Sequence, residues 1–161
     1  MKPRFNFTTA TPKAYDAIGP LDEYIDTCSV EQPLLHLVRL RASQINGCAY
    51  CIDMHWKDLR ALGEEEQRLY GLDAWRESPY YSEREHAALA WTEALTLVSR
   101  DQVPDVVYEE VKPHFSETEL ADLSIAIGTI NLWNRVAIAS RITPGHYRST
   151  LKPAEEVHAA V

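Results

Sequence analysis

The sequence is short of basic charge, of cysteine and of long apolar runs, and each shortage removes a class of function. Lys and Arg number 16 against 24 for Asp and Glu, a formal charge of −8 with the six His neutral. A chain of that sign does not gather on a phosphate backbone, so no nucleic-acid partner is expected. The most apolar run, Leu123 to Trp133, is interrupted by Ser124, Gly128, Thr129 and Asn131, and it falls well short of the roughly 20 residues that cross a bilayer. It reads as a buried helix, and no membrane partner is expected. The opening Met1-Lys-Pro-Arg-Phe-Asn-Phe has two basic residues with no continuous apolar stretch behind them. It does not read as a secretory signal, and the expected location is cytoplasmic. Three cysteines are too few, and odd in number, for a disulfide-stapled scaffold. In a reducing compartment, a close pair of them points to redox chemistry or to a metal.

What remains is ordinary globular material: 161 residues, 45% hydrophobic and 25% charged, enough for one well-cored domain. Apolar residues recur at helical spacing, and no segment alternates cleanly between hairpin turns, so the expected fold is all-α, a compact helical bundle. A first helix is expected over Ala14 to Cys28 with Gly19-Pro20 as a candidate break, and a second from Pro33 to about Ile45. Asn46-Gly47 turns the chain into a third, Cys48 to Leu62, which Gly63 closes. A short acidic helix follows over Glu64 to Gly71. Ser82 with Glu85, and Ser116 with Glu119, are capping boxes. They open helices running to about Arg100 and about Ile142. The domain is expected to end near residue 145, with 146–161, including His158, as a polar tail.

The chemistry lies in Ser43-Gln-Ile-Asn-Gly-Cys48-Ala-Tyr-Cys51-Ile-Asp-Met-His55. At about 100° per helical residue, Cys51 falls about 60° back from Cys48 and His55 about 40° on from Cys51, so all three share an arc of roughly 60°. The pair sits in the first turn, where free N–H groups and the positive end of the dipole favour a thiolate. His55 can exchange a proton near neutral pH, and an i, i+3 cysteine pair can close a disulfide. Three readings fit: a redox dithiol, a zinc site with His36 as fourth ligand beside Cys48, Cys51 and His55, or two cysteines packed as small apolar residues. Haem attachment does not fit, because Ile52 rather than His follows Cys51.

The run Leu37-Val-Arg-Leu-Arg-Ala-Ser-Gln-Ile-Asn-Gly-Cys-Ala-Tyr-Cys-Ile-Asp-Met-His resembles the core of the alkylhydroperoxidase D-like (AhpD-like) family within the carboxymuconolactone decarboxylase superfamily. The similarity continues through Gly63 to Trp75, Ser82-Glu-Arg-Glu85 to Ala94 and Ile130-Asn-Leu-Trp-Asn-Arg135, from about residue 5 to about residue 145. The resemblance implies an all-α fold and a thiol peroxidase of antioxidant role with no organic cofactor. It also implies a peroxide substrate, a dithiol reductant such as a lipoyl-type protein, and a homo-oligomer, either trimer or hexamer. Residue by residue, it makes Cys51 the peroxidatic thiol, Cys48 the proton donor and resolving thiol, and His55 the relay base. One position departs. The family's glutamate twelve residues before the first motif cysteine is here His36, which can pass a proton but cannot lend a negative charge. Neither Glu31, ahead of its helix, nor Asp53, about 100° off the motif face, replaces that acid. The alternatives are a carboxymuconolactone decarboxylase-like lyase and a noncatalytic oligomeric redox sensor or small-molecule binding protein.

Other residues are expected in structural roles. Cys28 reads as a buried apolar residue, Trp91 and Trp133 as core or subunit interface, and Glu85, His86 and Glu93 as capping and a solvated face.

Overall fold

The computed structural model of the chain describes residues 2–152; His158 and the rest of the tail beyond 152 lie outside the described residues. All regular structure among them is helical. In chain order the elements are α1 (Phe7–Ala10), α2 (Pro12–Asp26), α3 (Gln32–Asn46), α4 (Ala49–Ala61), α5 (Glu66–Tyr70), a 3-10 stretch (Leu72–Glu77), α6 (Glu83–Thr96), α7 (Val98–Asp101), α8 (Asp105–Val111), a 3-10 turn (Lys112–His114) and α9 (Glu117–Ser140). Among the described residues no helix is long and apolar enough to cross a membrane.

Both expected capping boxes are present. Ser82 Oγ accepts from the Glu85 N–H while Glu85 returns a bond to the Ser82 N–H, and Ser116 and Glu119 repeat the exchange. Each reciprocal pair satisfies two otherwise orphaned donors, an effect of about 1 kcal/mol per cap. Gly63, at φ +93°, follows the end of α4. Two boundaries differ from expectation. Helix α2 begins at Pro12, which suits a first helical position, and it runs unbroken through Pro20. The ring removes only the bond to the Asp16 carbonyl, and Asp16 is exposed, so water can satisfy it. The helix expected to reach Arg100 breaks at Leu97 (φ −99°, ψ 23°) and resumes as α7.

Helix α3 is the centre of the molecule. Every residue from Leu34 to Leu40 is buried, because α4, α6 and α9 pack around it. A helix walled on all sides needs no single apolar stripe, which is how His36 and Arg39 come to be interior. The apolar α6 and α9 lie against it, and α9 turns Ile125 and Leu132 outward, 41% exposed each. Glu93 is not on a solvated face. It accepts from Arg41 at 2.8 Å, Trp75 Nε1 at 2.8 Å and Arg76 at 2.7 Å, tying α3 and the 3-10 stretch to α6. Cys28 is half-buried against the core.

Two features aim α4. Gly47 caps α3 in the left-handed region (φ +68°), returning its N–H to Gln44 and letting Cys48 bond Ser43 at 3.0 Å; only glycine adopts that turn freely. The described residues beyond α9 carry no helix, yet they are fastened to α4: Gly145 N–H donates to Asp53, and the Tyr147 hydroxyl donates to Asp58 at 2.7 Å.

Candidate functional site

Cys48 is the N-cap residue of α4 and Cys51 lies in the helix's first turn. Their sulfurs are 2.7 Å apart, both side chains are buried, and both are free thiols. The two are not equivalent. The hydrogen bond from Cys51, helped by the Cys51 and Tyr50 backbone N–H groups and the Asn134 side chain, lowers Cys48 to about 7. The bond to Cys48, together with burial, raises Cys51. Above that value the pair keeps one proton between its sulfurs, with the negative charge on Cys48 at the helix terminus.

Asn134 is the outside support of this arrangement. It is fully buried on α9, donates to Ser43 Oγ at 3.0 Å and accepts from Asn46 at 2.8 Å. It thereby knits the end of α3 to α9 beside the thiols.

A cleft of about 1360 Å³ opens over α4, bounded by the N-terminal segment, α2, α9 and the chain after α9. Cys51, His36, His55 and Asp58 line it; Cys48 does not. The more acidic sulfur is thus the inner one and the less acidic sulfur faces the cleft. Part of the wall is aromatic: Trp133 meets Phe7 and Tyr15 edge-on, and its N–H reaches Asp22 at 3.1 Å.

His36 on α3 and His55 on α4 face one another, Nδ1 to Nδ1, at 3.4 Å. Burial lowers both: His36, with His55 and Arg39 adding to the effect, falls to about 3, and His55 moves in the same direction although Asp58 beside it opposes the shift. Both rings are neutral near pH 7. His55 Nε2 is buried with no hydrogen-bond partner among the described residues. Against the pair stands Asp58, 3% exposed, one oxygen of which lies 3.7 Å from each Nδ1. Burial pushes its carboxyl up, but the neighbouring His55 ring and the Tyr147 and Ser149 hydroxyls prevail and hold it below the usual carboxylate range.

The structure therefore brings His36 and His55 together and Cys48 and Cys51 together, with Cys51 and both histidines in the wall of one cleft. It also supplies an acid that the sequence reading missed. Asp53, considered and set aside, pairs with Lys57 at 2.7 Å. Asp58 lies three residues after His55, and that spacing puts it on the same helix face, a signal present in the sequence. Tyr147, which orients it, comes from a segment read only as tail.

A model of the carboxymuconolactone decarboxylase family matches residues 12–94. YdfG of Bacillus subtilis (strain 168) is 40% identical over 139 residues, 86% of this chain and 95% of YdfG. The crystal structure of ATU0492 from Agrobacterium tumefaciens, a protein of unknown function considered a candidate AhpD-type antioxidant defence protein, matches 91% of this chain and 100% of its own, with 41% identity and a TM-score of 0.88. A peroxidase-related protein from Silicibacter sp. TM1040 shares the fold at a TM-score of 0.75 and 22% identity, over 84% of this chain and 72% of that one. Family model, near relative and shared helical fold agree: this chain belongs to the carboxymuconolactone decarboxylase family and is AhpD-like.

Proposed function

We propose that the chain is a thiol-dependent peroxidase whose oxidised form is a Cys48–Cys51 disulfide. The observation that carries this reading is the position of the two sulfurs: Cys51 in the wall of the cleft and Cys48 behind it, 2.7 Å away. In the first step the Cys51 proton passes to the Cys48 sulfur or to the unpartnered His55 Nε2, and the Cys51 thiolate attacks the peroxide's outer oxygen. The O–O bond breaks, Cys51 becomes a sulfenic acid, and the departing alkoxide takes up the proton that Cys51 released and leaves as alcohol. The Cys48 thiolate then attacks the sulfenic sulfur, forming the disulfide and expelling hydroxide, which takes a solvent proton and leaves as water. An external dithiol reduces it by two successive exchanges and is itself released as a disulfide. His36 hydrogen-bonds His55 where the family has its glutamate, and the negative charge missing from that position is supplied from α4 by Asp58.

The aromatic wall favours organic hydroperoxides over hydrogen peroxide. The outward Ile125 and Leu132, seven residues apart on α9 and so on one face, suit the subunit packing of an oligomer. The test is turnover of both peroxides with a dithiol reductant, comparing wild type with Cys51→Ser and Cys48→Ser. Turnover in wild type, none in Cys51→Ser, and a single oxidation event in Cys48→Ser are expected. Equal inactivity of all three proteins with every dithiol tried refutes the proposal.

A further inference from the structure

The His36, His55 and Asp58 cluster has a geometry that proton transfer alone does not require. A relay needs each group within hydrogen-bond reach of the next, yet the Asp58 oxygen stands 3.7 Å from both ring nitrogens, beyond a hydrogen bond. The three atoms surround a common point. With edges of 3.4, 3.7 and 3.7 Å, the triangle has a centre about 2.1 Å from every corner, which is the bond length of zinc to imidazole nitrogen or carboxylate oxygen. Ligands on a tetrahedron of that bond length are about 3.4 Å apart, so a small inward movement of the carboxylate completes the angle.

The remaining features suit a cation as well. The ring centroids are 5.5 Å apart, which makes the Nδ1 atoms the near corners of the two imidazoles. Asp58 contributes the negative charge. The cation that acts on both rings, Arg39, is already paired with Asp26 at 3.0 Å. The second oxygen of Asp58 is held by the Tyr147 hydroxyl at 2.7 Å, the outer-shell bond that orients metal-binding carboxylates. All three residues line the cleft, so a fourth position would face incoming ligands, as in open zinc sites.

We infer that His36 Nδ1, His55 Nδ1 and Asp58 Oδ2 form a three-ligand site for a divalent first-row metal ion of the zinc type, separate from the cysteine pair. Two imidazoles and one carboxylate favour such ions over magnesium or calcium, which take oxygen ligands. The site differs from the zinc reading weighed for the sequence motif in using Asp58 in place of both cysteines. Metal on its Nδ1 fixes the proton of neutral His55 on Nε2, so the loaded protein could not use that nitrogen as a base. The inference does not depend on the peroxidase reading, because it can be tested in protein lacking both thiols.

The experiment is calorimetric titration of Zn²⁺, and absorption titration of Co²⁺, into reduced, chelator-stripped protein and into the Cys48→Ser/Cys51→Ser double variant. One ion per chain is expected in both, with cobalt d–d bands and no sulfur-to-cobalt charge transfer. His36→Gln and Asp58→Asn should each lose at least roughly tenfold in affinity, and the gentler Tyr147→Phe about tenfold through the outer shell. Far-ultraviolet circular dichroism establishes that each variant folds; should the ligand variants unfold, Tyr147→Phe decides. Three results would each overturn the inference: no stoichiometric binding, a sulfur charge-transfer band that disappears with the cysteines, or unchanged affinity in the folded variants.

Discussion

Replacing Asn134 by alanine tests whether the buried amide network holds the thiol pair in its acidic state. Asn134 donates to Ser43 Oγ, accepts from Asn46 Nδ2 and is hydrogen-bonded to the thiol pair. Its loss does not orphan everything: Ser43 still donates to the Arg39 carbonyl and Asn46 still reaches Asn131. Two buried hydrogen bonds at about 1 kcal/mol each, with most partners keeping a second bond, place the cost at about 2 kcal/mol, at the lower end for a buried polar deletion. Removing the donor also raises Cys48 from its lowered value of about 7. The sign follows directly. Thiolate is present above that value and is lost as pH falls through it, so an upward move depletes thiolate at neutral pH. A rise to about 8 would cut the Cys48 thiolate at pH 7 from about one half to about one tenth. Urea unfolding measures the first effect. Thiolate ultraviolet absorbance against pH, read as the difference between proteins with and without Cys48, measures the second. An Asn134→Ala protein with wild-type stability and an unmoved thiolate midpoint refutes the reasoning.

Leu35→Ala, at a fully buried position of α3, should destabilise by about 2–5 kcal/mol through lost burial and the cavity left behind, read as a lower urea midpoint at unchanged slope. Gly47→Ala meets no atom within 4 Å but places a side chain at φ +68°. The expected loss is about 1 kcal/mol of backbone strain alone, and a much larger loss would show that the α3–α4 turn is held by more than its conformation. Glu93→Gln removes the charge shared by Arg41, Trp75 and Arg76 and should cost about 1–3 kcal/mol; an unchanged unfolding curve would return Glu93 to the solvated face first expected of it.

The helices were legible where local chemistry sets them. Capping boxes at Ser82 and Ser116, and Gly63 after α4, satisfy backbone groups within a few residues of themselves, so sequence alone reveals them. Helix α8 was not foreseen because seven residues are too few to be stable without tertiary packing, and Val111 supplies that packing only in the folded chain. At the site, the shared face of Cys48, Cys51 and His55 follows from helical geometry. Asp58 did not stand out because it sits between Lys57 and Leu59, followed by Arg60, in a stretch whose charges read as solvated. What buries it is the His36 ring from α3 and the Tyr147 ring 89 residues away, and no periodicity reports contacts of that range. Glu93 escaped for the same reason, its partners coming from two other elements.

The inequality of the two cysteines yields a sharper expectation than loss of activity. Cys51 is raised by its bond to Cys48, by burial and by the Cys48 charge, so two of three causes disappear when Cys48 becomes serine. A serine hydroxyl carries no charge at neutral pH, and the Cys51 proton loses its anionic acceptor. The Cys51 thiol should then titrate lower than in wild type, with burial alone opposing it. First-turn N–H groups of α4 remain available to the thiolate. In a single exposure to organic hydroperoxide, Cys48→Ser should therefore form sulfenic acid at least as fast as wild type forms disulfide, and should stop there for want of a resolving sulfur. Dimedone labelling of Cys51, followed by mass spectrometry over a time course, measures this. If Cys48→Ser fails to oxidise while wild type reacts, the attacking sulfur is Cys48 itself, and the roles assigned to the pair must be exchanged.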